Sequence, residues 1–182
     1  MKTVLVPLAP GFEEIETITV VDILRRAGAQ VTLAGTEEGP LKGSRGISVL
    51  PDDLLANVLQ KEFDMVVLPG GQPGTDNLKK DARVAQLLKK MDNLNKNIAA
   101  ICAAPLVLKD AGILENRCAT SHPSVQNDMQ DISYQDERVV VDGHIITSKS
   151  PGTAIEFSLK LVEILFGRER MDMVNKGVLA KF

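Results

Sequence analysis

The chain is poor in the residues that build several common kinds of protein. It has two cysteines and two histidines in 182 residues. Cys102 and Cys118 are too few for a disulfide framework, and with His122 and His144 they do not reproduce a zinc-finger spacing. Neither histidine has a second ligand at metal spacing, so no metal is expected. Free thiols suit a reducing compartment, and a cytoplasmic location is expected. Aromatic residues are only 3% of the chain, the formal net charge is -3, and lysine and arginine form no stripe. A nucleic-acid groove needs positive charge and stacking rings, so specific nucleic-acid binding is not expected. Long apolar runs are missing too: Glu, Lys or Asp interrupts every stretch well short of the roughly 18 residues of a membrane helix, so no membrane span is expected. The opening MKTVLVPLAPGFEE has no basic region, long apolar segment or small-residue cleavage site, and a signal peptide is not expected either. What is present, 44% hydrophobic residues without low complexity, suffices for one sizeable core. One domain over 1–182 with a small-molecule site is the expectation.

Short apolar runs recur along the chain: TVLVPLA (3–9), QVTLAGT (30–36), FDMVVLPGG (63–71), NIAAICA (97–103), RCATSH (117–122) and RVVVDGHIITS (138–148). Runs this continuous suit strands covered on both faces, which predicts a mostly parallel sheet between two layers of helices. Helices are predicted over 13–27, 81–92, 104–111 and 153–166. Asp142-Gly143 between two β-rich runs predicts a hairpin. The glycine-punctuated segment 39–54 reads as an excursion carrying one short strand, ISVL. In such sheets ligands bind at the carboxyl ends of the strands, where helix N-termini and loop amides converge. Those ends are Pro10 to Glu13, Gly70-Gly71, Cys102 and His122.

On a helical wheel, Val20, Ile23, Leu24 and Ala27 share one face, with Asp22, Arg25 and Arg26 opposite. Glu16 falls on the apolar face. A carboxylate there must be paired, hydrogen-bonded or neutral, unless it merely complements the helix dipole in the first turn, the role assigned to Glu13 and Glu14. Cys102 follows four apolar strand residues and precedes AAPLVLKDAG, whose proline suits a first helical turn. A sharp strand-to-helix elbow would expose the thiol and aim helix N–H groups at it, lowering its pKa from about 8.5; the alternative is a small buried hydrophobe. Cys118, inside RCATSH, reads as core. His122 ends its run in TSHPS and either serves a neighbouring thiol or lies in an exposed loop; His144, past the hairpin turn, reads as exposed. LPGGQPG is not a dinucleotide loop, since Pro73 would break the helix that such a loop opens. It reads as a tight turn supplying N–H donors for an oxyanion.

Taken in order, GFEEIET, VVLPGG, AAICAAP, SHP and SKSPGTAIEF resemble the ThiJ/PfpI superfamily, and most closely its parkinsonism-associated DJ-one branch, over essentially the whole chain. The resemblance implies a flavodoxin-like three-layer α/β sandwich, a single ThiJ/PfpI-like (class I glutamine amidotransferase-like) domain, and a homodimer. It implies that Cys102 is a reactive thiol on a strained elbow, that Glu16 is a protonated acid beside it, and that His122 is the nearby family histidine. Gly70, Gly71 and the Ala103 amide would surround a thiolate or oxyanion, while Arg45 and Pro151, in GSRG and SPGT, would line a dimer interface near the site. SKSPG departs from the branch at Lys149 and Ser150, which bears on anion contacts at the site edge. Gly43 and Leu50 stand where branch members carry further cysteines, so redox behaviour centres on Cys102.

The activities implied are several. One is cofactor-free chemistry on small reactive carbonyls, as methylglyoxal to lactate (a glyoxalase III-like lyase) or removal of early glyoxal adducts from glycated substrates (a deglycase-type hydrolase). Another is peroxide sensing, or holdase chaperoning, through oxidation of Cys102. A cysteine peptidase is weaker, because His122 has no evident acidic partner.

Overall fold

The computed structural model describes residues 1–181. In chain order its elements are β1 (Thr3–Leu8), α1 (Glu14–Arg26), β2 (Gln30–Gly35), β3 (Leu41–Lys42), β4 (Ser48–Val49), β5 (Asp53–Leu54), α2 (Leu55–Val58), β6 (Met65–Leu68), α3 (Gln72–Lys80), α4 (Ala82–Asn93) and β7 (Asn97–Ile101). There follow α5 (Pro105–Asp110), β8 (Cys118–Ala119), β9 (Ser133–Tyr134), β10 (Val139–Asp142), β11 (Ile145–Ser148), α6 (Ala154–Phe166) and α7 (Arg168–Val178).

The central sheet runs β10-β11-β7-β6-β1-β2-β5, and every pairing is parallel except β10 with β11, the hairpin at Asp142-Gly143. Side-chain alternation splits each strand between two cores. From β1, β6 and β7, the side chains of Val4, Val6, Met65, Val67, Ala99 and Ile101 face α1, α6 and α7. Leu5, Val66, Leu68, Ile98 and Ala100 face α2 to α5. Both faces are covered, which is why the runs are apolar throughout. The architecture is the flavodoxin-like α/β sandwich, and among the described residues no helix is long and apolar enough to cross a membrane.

Four local expectations are corrected. RCATSH does not join the central sheet: only Cys118–Ala119 is strand, paired with β9. The Cys118 N–H donates to Asp142 Oδ2 at 2.7 Å and the Thr120 N–H to Thr147 Oγ1 at 2.9 Å. With those amides taken by side chains, the segment cannot extend the ladder. Cys118 is accordingly half-buried rather than core. Pro73 does not break a helix but sits in the first turn of α3, where its missing N–H would have had no partner. His144 is not exposed; its Nε2 lies 2.7 Å from Asp92 Oδ1, and 13% of the side chain is accessible. One further helix, α7, lies outside those predicted, because only Val174 on it is buried, too little to print an apolar stripe.

Candidate active site

β7 ends at Ile101, and the next residue adopts φ +66°. A left-handed conformation at a side chain other than glycine costs of the order of 1–2 kcal/mol, and the surroundings impose it here. The Cys102 N–H donates to Ser148 O at 2.9 Å, and Cys102 O accepts the His122 N–H at 2.8 Å. Ser148 is itself held, its Oγ lying 2.7 Å from Thr153 Oγ1. Pinned on both sides, the chain turns at once into Ala103 and the start of α5 at Pro105. This is the elbow, with the thiol half-buried at the tip.

Glu16 reaches the same point from the first turn of α1 and is wholly buried. Its Oε2 accepts the Gly70 N–H at 2.8 Å. Its Oε1 is buried without a partner in hydrogen-bond geometry, and the Cys102 thiol is the neighbour able to reach this carboxyl. Gly70 is obligatory between them: a Cβ there would lie 2.6 Å from Cys102 Cβ and 2.7 Å from Glu16 Oε2. Gly71 takes φ +86°, and a Cβ on it would meet Gly11 O at 2.5 Å. The backbone N–H groups of Gly71 and Ala103 flank the Cys102 sulfur and favour its thiolate. Gly70 does not join them, because its N–H is committed to Glu16.

Burial pushes the Glu16 carboxyl up to about 7; the thiol and the Gly70 N–H oppose the rise, and the Glu13 charge adds to it. Burial likewise pushes the Cys102 thiol up to about 12, with the Glu16 charge next in size and the Gly71 and Ala103 N–H groups pulling downward. The lowered thiol pKa expected of the elbow is therefore not met while Glu16 is ionised. Two N–H donors are outweighed by desolvation and a carboxylate. A proton on Glu16 removes that charge and supplies an O–H donor, so a thiolate forms here as the partner of a neutral acid, one negative charge shared by the pair.

The glutamates before Glu16 do more than complement a dipole. Glu13 is the N-cap of α1, its Oε2 accepting the Glu16 N–H at 2.8 Å. The legible signal was the capping-box spacing of an acceptor three residues before a Glu. Glu14 is buried, and it accepts from the Arg45 N–H at 2.7 Å, the Ile47 N–H at 3.3 Å and Ser44 Oγ at 3.2 Å. Burial alone would raise its pKa, but the N–H groups of Arg45, Glu14 itself and Ile47, with the Ser44 hydroxyl, hold it below the usual carboxylate range. Two buried glutamates on one helix turn are thus shifted in opposite directions: Glu14 has several donors, while Glu16 has one and a bare oxygen.

His122 is beside the elbow through its backbone. Its ring Nδ1 accepts the Ser124 N–H at 3.1 Å and lies 2.8 Å from Ser124 Oγ. No hydrogen bond joins the ring to the thiol, and an Nδ1 that accepts an N–H puts the neutral ring's proton on Nε2. Arg45 is exposed, and Pro151 opens a short 3-10 turn at the end of β11. Lys149 pairs with Asp136 rather than offering a free cation. Among the described residues no three His, Cys, Asp or Glu side chains are grouped to hold a metal.

Such an arrangement, a cysteine on a strained strand-to-helix turn with a buried acid and two backbone amides beside it on a parallel sheet, defines a cysteine-elbow α/β protein. A model of the DJ-1/PfpI family matches residues 2–164, and the chain belongs to that family. It is 46% identical over 184 residues to protein dj-1beta of Drosophila melanogaster, covering 100% of this chain and 98% of that one. The crystal structure of dj-1beta superposes with a TM-score of 0.97 at 45% identity, over 100% and 99% of the two chains. The glutathione-independent glyoxalase DJR-1.2 of Caenorhabditis elegans is 41% identical, over 99% of this chain and 98% of its own. An oxidized Toxoplasma gondii DJ-1 structure matches over all of both chains at 36% identity and a TM-score of 0.97.

Proposed function

We propose that this DJ-1-type stress protein converts small reactive carbonyls, methylglyoxal being the probe, into 2-hydroxy acids without a cofactor. The observation that carries the reading is the pairing of the Cys102 thiol with a buried Glu16 that keeps one oxygen unpartnered. Sulfur adds to the aldehyde carbon, and the carbonyl oxygen takes up the thiol proton to give a hemithioacetal. The ionised Glu16 then removes the proton on that carbon, and the electron pair moves toward the adjacent ketone. The resulting enediol takes a proton back at the second carbon, leaving a thioester of lactate on Cys102. Water cleaves the thioester, releasing lactate and restoring the thiol. One carbon is oxidised and its neighbour reduced, so no external oxidant is needed. Gly71 and Ala103 are the amides placed to hold negative charge at the sulfur or the adjoining oxygen. His122, locked on Ser124, serves as an Nε2–H donor rather than a base. The name of the glyoxalase DJR-1.2 supports the substrate class.

A second reading, peroxide sensing at Cys102, is favoured by the same acid, since a neutral Glu16 donates to a sulfinate oxygen as readily as to sulfur. Deglycation of glyoxal adducts would use the same three groups. A homodimer is supported by the uncovered apolar residues Ile15 and Ile18 on α1 and Ile47 beside them, each about half exposed or more. A single domain and a cytoplasmic setting complete the reading.

Lactate release from methylglyoxal tests it. Wild type turns over without glutathione or added metal, Cys102→Ser does not, and Glu16→Gln loses at least a hundredfold. Turnover that survives Cys102→Ser, or an unchanged rate in Glu16→Gln, sinks the mechanism.

A further inference from the structure

We propose that a cleft at the amino ends of β6 and β7 binds an aromatic monocarboxylate, a ligand of benzoate type. The cleft has a volume of about 150 Å³ and an apolar floor of Phe63, Leu87 and Met91. Leu94, 56% exposed, stands at its lip. Lys61, Lys90 and Lys96 line it beside one acidic lining residue, Glu62, with Asp53 and Asp64 behind Lys61 and Lys96.

The size argues for one ring. An apolar cavity of about 150 Å³ holds a benzene molecule, whereas drug-sized ligands need roughly 300 Å³ or more. The rim argues for an anion. Lys90 has no ion-pair partner among the described residues. Lys61 reaches Asp53 only at 3.6 Å and Lys96 reaches Asp64 only at 3.7 Å, both with half-exposed side chains. Exposed pairs of that kind contribute little, so these ammonium groups can swing to a carboxylate on a ring seated below them. A neutral apolar ligand would leave the lysines unused, and a dianion would bring a second charge against the apolar floor. The cleft is remote from the elbow: Asn97 begins β7 and Cys102 follows its far end, roughly 16 Å away along the strand.

The test is titration of the ¹⁵N-labelled protein with sodium benzoate and, separately, with benzamide, its uncharged isostere, and with sodium octanoate. Benzoate should shift the amides of 61–63 and 87–96 saturably while those of Gly71 and Ala103 stay still. Benzamide should bind at least threefold more weakly. Lys90→Ala, a surface change that leaves methylglyoxal turnover intact, should weaken benzoate about two- to fivefold and benzamide not at all. Leu87→Phe, with its fold checked by circular dichroism, should abolish both by filling the floor. Four results would overturn the proposal: no saturable shift, shifts centred on the elbow, equal affinity for benzoate and benzamide, or tighter binding of octanoate than of benzoate.

Discussion

Replacing Glu16 by Gln removes one ionisation from the buried site while keeping a carbonyl oxygen for the Gly70 N–H and an N–H₂ that faces sulfur. The consequence for stability has a definite sign. The carboxyl titrates near 4.5 in the unfolded chain and at about 7 in the folded one. Between those values the folded state holds the extra proton, so stability falls as pH rises. The contribution of neutral Glu16 is fully present below about pH 4.5 and lost once the pH passes 7. A shift of about 2.5 pH units corresponds to roughly 3 kcal/mol, as an order of magnitude. For a domain of this size that is a change of roughly 6–12 °C in Tm. All other carboxylates are common to the two proteins and cancel in the difference. Thermal unfolding of wild type and Glu16→Gln at one fixed protein concentration, from pH 5 to 8, should therefore show the variant gaining on wild type by most of that amount, about 2.5 kcal/mol or roughly 5–10 °C, as pH rises. A difference independent of pH, or one that favours wild type as pH rises, would refute a carboxyl that is buried, singly hydrogen-bonded and neutral at low pH.

Gly70→Ala should abolish turnover and destabilise by about 1–3 kcal/mol, because its methyl would lie within 2.7 Å of Glu16 Oε2 and closer still to Cys102 Cβ; an active, equally stable variant would show that the backbone moves freely here. Cys102→Gly should be more stable than Cys102→Ala by about 1 kcal/mol in chemical denaturation, since only the glycine relieves the positive φ; the reverse order would mean that the elbow is unstrained. Below pH 7, where Glu16 holds its proton, peptide mapping after dilute peroxide should find oxygen on Cys102 before Cys118, because the neutral acid removes the opposing charge and can donate to sulfur or a sulfinate oxygen, while Cys118 has Ser133 Oγ at 3.5 Å and Gln135 Nε2 at 3.9 Å. Simultaneous oxidation would count against stabilisation at the elbow. Glu14→Gln should cost 1–3 kcal/mol and speed hydrogen exchange at Arg45 and Ile47, whose amides it holds; unchanged exchange there would refute the clamp.

Sequence alone determined the layers, because strands covered on both faces must be apolar at nearly every position, and short runs such as MVVL and NIAAI, recurring between longer helical segments, fit that placement. It also determined that Glu16 is anomalous, since the 3.6-residue period puts a carboxylate among Val20, Ile23 and Leu24. Cys102 was legible as an elbow from the abrupt passage of apolar strand into a proline-opened helix, and the hairpin from Asp142-Gly143. Tertiary contacts decided the rest, for they join residues far apart in the chain. That Gly70 gives its N–H to Glu16, while the Gly71 and Ala103 amides flank the sulfur, depends on how α1 lies over β6 and β7. The fate of Cys118 hung on Asp142 and Thr147 capturing nearby amides, and that of His144 on Asp92. Local pattern sees a side chain's own period and its immediate neighbours. A proton's position between Glu16 and Cys102 is set by burial and by which donors arrive from other strands, and those exist only once the chain has closed on itself.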